Sequence, residues 1–85
     1  MTELKAGPRV VGAKQTRRAV ADGRAVRVYL AEDADPNVTG PIEDLCQEQG
    51  VEVQKVPAMR ALGTTCGIAV GAAVAALVSS EQSPL

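Results

Sequence analysis

The sequence of 85 residues has no histidine, no tryptophan and no phenylalanine, and a single tyrosine. Without histidine, Ser-His and Cys-His nucleophile pairs and His-ligated metal centres are excluded. Almost no aromatics means no stacking platform of the kind on which many single-strand binders hold bases. Only two cysteines occur, Cys46 and Cys66; without histidine they cannot make an ordinary zinc site. No secretory signal precedes them in a chain that starts Met-Thr-Glu-Leu-Lys, so they read as reduced, buried thiols of a cytoplasmic protein. The longest apolar run, Cys66 to Val78, is too short to span a bilayer and reads as core. Neither a Gly-rich dinucleotide loop nor a Gly-Lys-Ser/Thr phosphate loop is present. The formal net charge is −1, so any affinity for a polyanion has to come from a local patch.

Such a patch exists, because the charges are poorly mixed. Arg9, Lys14, Arg17, Arg18, Arg24 and Arg27 crowd the first third. From Val28 to Gln54 there is no Lys or Arg, while Glu32, Asp33, Asp35, Glu43, Asp44, Glu48 and Glu52 accumulate. Apolar content of 46% is enough for one packed core, expected over residues 9–78 of a single domain spanning 1–85, with frayed ends from Ser79 onward.

Strand and helix signals alternate. Arg9 to Val11 reads as a strand ending at Gly12, and Ala13 to Asp22 as a helix stopped by Gly23. On that helix Ala13, Thr16 and Val20 share one face, and Lys14, Arg17 and Arg18 another. Ala25 to Ala31 alternates Val26, Val28 and Leu30 with Arg27 and Tyr29, a strand pattern. After a turn at Asp33 to Pro36, Thr39 and Pro41 signal a helix start and Gly50 its end. Val51 to Val56 reads as a strand and Pro57 to Leu62 as a short helix; the apolar tail from Ile68 to Val78 fits strand or helix by pattern, and length and context favour a last strand near Ala73 to Val78. The alternation predicts an α/β fold with helices on both faces of one sheet.

Few of these residues suit catalysis. Glu32, Asp33 and Asp35 lack a companion base and read as a solvated turn; Ser and Thr lack an activating base. No catalytic residue, metal ligand, cofactor or small-molecule substrate is assigned, and the chain does not read as an enzyme. The strand-to-helix junction at Gly12 is more informative. There the first helical amides and the positive end of the helix dipole face outward, with Lys14, Arg17 and Arg18 beside them.

Four blocks carry a resemblance. Gly12-Ala13-Lys14-Gln15-Thr16-Arg17-Arg18-Ala19-Val20, Ala31-Glu32-Asp33-Ala34-Asp35-Pro36, Val56-Pro57-Ala58-Met59-Arg60-Ala61-Leu62-Gly63 and Cys66-Gly67-Ile68 with its Ala/Val tail stand in this order. Together they resemble the L7Ae ribosomal protein family, in particular its small stand-alone bacterial branch. The resemblance implies a three-layer α/β/α sandwich around a mixed four-stranded sheet. It also implies binding of kink-turn RNA, a bent duplex with a bulge beside tandem sheared G·A pairs.

Carried over position by position, the resemblance makes Gly12, Ala13, Lys14, Gln15, Arg17 and Arg18 the surface that meets the G·A pairs and adjacent backbone. Lys14 and Gln15 replace the family's usual Asn and Glu: Gln15 keeps a carbonyl acceptor without the charge, and Lys14 offers only donors. Val56, Pro57, Ala58 and Met59 match an apolar loop that packs against the bulged nucleotide. Asp35 matches a position able to hydrogen-bond an extruded base. The implied partner is ribosomal RNA or a riboswitch leader, bound by a monomer with no membrane contact. A protein–protein adaptor of the same fold, presenting its acidic middle helix to a basic partner, is the alternative.

Overall fold

The alternation seen in the sequence is realised as seven elements. In the computed structural model, which describes residues 8–67 and 71–79, these are β1 (Arg9–Val11), α1 (Ala13–Ala21), β2 (Ala25–Ala31), α2 (Pro36–Gln49), β3 (Glu52–Val56), α3 (Met59–Cys66) and β4 (Val74–Val78). The sheet order is β1-β4-β2-β3. β4 is antiparallel to both β1 and β2, and β2 is parallel to β3, so β1, β2 and β3 all run the same way. The mixed sheet is the expected one.

Two apolar layers flank it. On one face Val20 of α1 and Ile42 and Cys46 of α2 pack with Val28, Leu30, Val74 and Ala76. On the other, Leu62 and Cys66 of α3 pack with Tyr29, Ala31, Val56 and Ala75. Alternate residues of β2 thus enter opposite cores, as expected of a strand covered on both sides. The single tyrosine is fully buried in the α3 layer, with its hydroxyl 3.5 Å from Arg27, and so presents no ring to a ligand. Both thiols are free and buried, in opposite layers.

The structure departs from the sequence pattern in four places. Val26 does not join Val28 and Leu30 in the core but is 52% exposed, because an irregularity in the β2–β4 pairing between Ala25 and Arg27 shifts it out of register. Helix α2 starts a turn before Thr39: Asp35 caps it by accepting from the Asn37 amide at 2.9 Å, and Pro36 takes the first helical position. Pro41 therefore lies inside the helix. Helix α3 begins at Met59 and runs past Leu62 and Gly63 to Cys66. Its first amide is bonded to Asp33 Oδ1 at 2.7 Å, a cap from a different loop. Ser79 is tied down, its amide donating to the Arg24 carbonyl at 2.9 Å. Ile68 and residues 80–85 lie outside the described residues. The Gly50 stop holds: at φ 71° it lets its own amide reach Gln47 O and the Val51 amide reach Cys46 O.

Candidate nucleic-acid interface

Because β1, β2 and β3 run the same way, their C-terminal ends share one end of the sheet with the start of β4. A row of backbone hydrogen bonds marks that end. Gly12 N donates to Val74 O at 3.0 Å, Ala31 N to Ala73 O at 2.9 Å, and Glu32 N to Val56 O at 2.7 Å. The Gly12 junction, the turn of residues 32–35 and the loop of residues 57–58 therefore open on the same side. Three strand spacings separate the outer two, about 14 Å.

At the junction Gly12 adopts φ 102° and ψ 155°, a conformation open essentially to glycine alone. Beyond its own chain neighbours, no described residue places an atom within 4 Å of where its Cβ would stand, so the space in front of it is open among the described residues. Its carbonyl accepts the first helical bond, from the Thr16 amide at 3.0 Å. The amides of Ala13, Lys14 and Gln15 precede the first intrahelical donor, and among the described residues no side chain caps them. No acidic residue occupies the first turn. Lys14, Gln15, Arg17 and Arg18 are exposed while Thr16, Ala19 and Val20 are fully buried, so the helix keeps its cations on the outer face. Among the described residues no carboxylate pairs with Lys14, Arg17 or Arg18, whereas Arg24 meets Asp22 at 3.7 Å and Lys55 meets Glu43 at 3.6 Å. Oriented amides, a helix dipole and unpaired cations together suit phosphate oxygens and the acceptor edge of guanine.

The second cluster is assembled differently from its sequence pattern. Val56 is 3% exposed and belongs to the core under α3, so its side chain cannot pack on an external nucleotide. That assignment is corrected: the apolar surface here consists of exposed Pro57 with half-buried Ala58 and Met59. The sheet pattern explains the difference, since Val56 is the last strand residue and points inward. Asp35 is exposed, with one oxygen engaged in capping α2. Asp33, read from sequence as part of a solvated turn, in fact joins that turn to α3. The segment of residues 71–73 also reaches this end. Ala72 N donates to Met59 O at 3.0 Å, and a Cβ on Gly71 would fall 3.0 Å from Met59 Cβ. Gly71 thus permits β4 to start against α3 between the two clusters; the only sequence signal was a lone glycine in an Ala/Val run.

Comparison with known proteins agrees with this architecture. The family model described as the ribosomal protein L7Ae/L30e/S12e/Gadd45 family matches residues 1–85. An RNA-binding protein of Caldanaerobacter subterraneus is 44% identical over 82 residues, covering 96% of this chain and 100% of that protein. RNA-binding protein YbxF of Geobacillus stearothermophilus is 44% identical over 75 residues, covering 88% of this chain and 92% of its own. Among solved structures, the Giardia lamblia 15.5kD RNA binding protein superposes with a TM-score of 0.87 at 27% identity, over 93% of this chain and 70% of that one.

Proposed function

Since the chain belongs to the ribosomal protein L7Ae/L30e/S12e/Gadd45 family, we propose that it is a non-catalytic RNA-binding protein that recognises and stabilises kink-turn RNA. The observation that carries this reading is the Gly12–Arg18 junction. Among the described residues it combines an uncapped helix start, open space in front of a glycine and cations without acidic partners, on the same end of the sheet as the Pro57–Met59 surface.

The geometry supports a division of labour. The major groove of a regular RNA duplex is too deep and narrow for side chains, and a kink opens it. Gln15 and Lys14 then meet base edges, the amides of Ala13 to Gln15 and the guanidinium of Arg18 meet phosphate or guanine acceptors, and Pro57 to Met59 cover the bulged nucleotide. The protein needs no aromatic platform, because aliphatic atoms cover one base and the RNA stacks the rest. Both surfaces sit on one rigid sheet end and fit only the bent RNA. Binding therefore draws a flexible RNA toward the kinked state by differential affinity. In this reading the protein acts in the cytoplasm as a monomer on ribosomal RNA or a riboswitch leader.

The test compares a kink-turn with a straight duplex of equal length. Tighter binding of the kinked RNA, with a rise in end-to-end energy transfer across it on adding protein, is the expected result. Equal binding of both forms with no change in transfer reduces the site to a general basic patch.

A further inference from the structure

One feature beside this junction remains without a role. Between α1 and α2 runs a groove of about 300 Å³, lined from α1 by Ala13, Lys14 and Arg17 and from α2 by Asn37, Val38 and Pro41. Its size is that of a small ligand site. The two cations at its rim are exposed and have no acidic partner among the described residues.

Pro41 is the anomaly in the wall. It stands inside α2, where it removes the hydrogen bond to the Asn37 carbonyl and crowds that group. Yet Pro41 is exposed and belongs to neither core layer, so packing does not account for it. A residue that breaks a local rule without a structural gain points to a site. Asn37 is also exposed: its backbone amide is held by Asp35, and its side-chain amide has no partner among the described residues, leaving a donor and an acceptor toward the groove.

We propose that this groove is a second RNA-contact surface, which takes one nucleotide flanking the kink. Arg17 meets its phosphate, the Pro41 ring and Val38 lie against its base, and Asn37 hydrogen-bonds the base edge. RNA is favoured over a protein segment because the charged rim is purely cationic. Lys14 also belongs to both surfaces, so a strand bound at Gly12 passes the mouth of the groove. The proposal rests on the RNA-binding reading above and extends its footprint from α1 to α2.

The experiment measures affinity for two probes, a kink-turn duplex trimmed to the kink with its sheared G·A pairs, and the same duplex carrying an unpaired flanking segment. The native protein should bind the longer probe about 10-fold more tightly, the scale of one base contact. The double variant Asn37→Ala, Pro41→Ala should lose that gain while binding the trimmed probe like the native protein. Its melting temperature should be unchanged or higher, since alanine restores a helix hydrogen bond. Equal affinity of the native protein for both probes overturns the groove assignment, as does a double variant that keeps the gain. A double variant with unaltered RNA affinity that loses a protein partner also overturns it. Failure of the native protein to bind either probe overturns the kink-turn reading itself, a distinct outcome.

Discussion

Gly12 is held by its backbone dihedrals and not by crowding. Its φ of 102° disfavours any Cβ, although among the described residues nothing beyond its chain neighbours stands within 4 Å of one. Gly12→Ala should therefore lower stability by about 1–3 kcal/mol, a loss of at least about 4 °C in melting temperature for a domain this small. In the proposed complex the same methyl also stands where RNA approaches, so affinity at a temperature where the variant is folded should fall as well. A variant that melts normally would contradict the junction geometry. The thiols give a second residue-scale test. Burial raises the Cys46 thiol, helped by the nearby Glu43 charge, and burial raises Cys66 against the opposing effect of Arg9. A thiol that ionises at higher pH when folded stabilises the fold below the ordinary thiol range and loses that contribution as pH rises through the folded value. Stability followed by circular dichroism should therefore decline at alkaline pH, and less steeply in Cys46→Ala than in the native chain. Neither thiol should react with a disulfide reagent until the chain unfolds.

At the scale of elements, the three helix starts are treated differently. α2 is capped by Asp35, which directly precedes it, and α3 by Asp33, 26 residues upstream in the same turn after β2, while α1 has no side-chain cap among the described residues. Asp33→Ala should cost about 1 kcal/mol by freeing the Met59 amide. Because that bond also joins the 32–35 turn to the 57–59 loop, amide exchange should accelerate at the start of α3 before it does in α1. Uniform protection across both helices would mean the cap contributes little. Pro41→Ala should act in the opposite direction, since an interior proline costs a helix up to about 3 kcal/mol. A rise in melting temperature is the expected outcome, and a fall would show that the ring packs in a way the exposed position does not suggest.

For the molecule as a whole, near-neutral total charge conceals a basic α1 next to an acidic α2 on the same face of the sheet. RNA affinity should fall with salt because phosphates release counterions. Removing Arg18 or Lys14 should flatten the slope of log affinity against log salt by about one each if each meets one phosphate. An unchanged slope with poorer discrimination of the G·A pairs would place the side chain on a base edge instead. On the kink-turn reading proposed above, replacing the sheared pairs by Watson–Crick pairs should weaken binding more than either substitution, because it removes the shape through which both surfaces are proposed to meet the RNA at once.

Periodicity and punctuation in the sequence already determined the elements. Gly12, Gly23 and Gly50 end a strand and two helices where strand and helix patterns change, and the basic face of α1 follows from the spacing of Lys14, Arg17 and Arg18 against Thr16 and Val20. Local backbone preference and one-faced burial are short-range effects, so they are written locally. Tertiary structure alone decided the rest. Val26 leaves the core because of a pairing irregularity with β4, and Val56 enters it because α3 covers that face. Asp33 caps a helix 26 residues away, which no local pattern encodes. Strand order has the same origin: only the antiparallel insertion of β4 between β1 and β2 sets Gly12, Asp35 and Pro57 on one end of one sheet. These contacts join segments distant in the chain, and their geometry is fixed only when the strands pair.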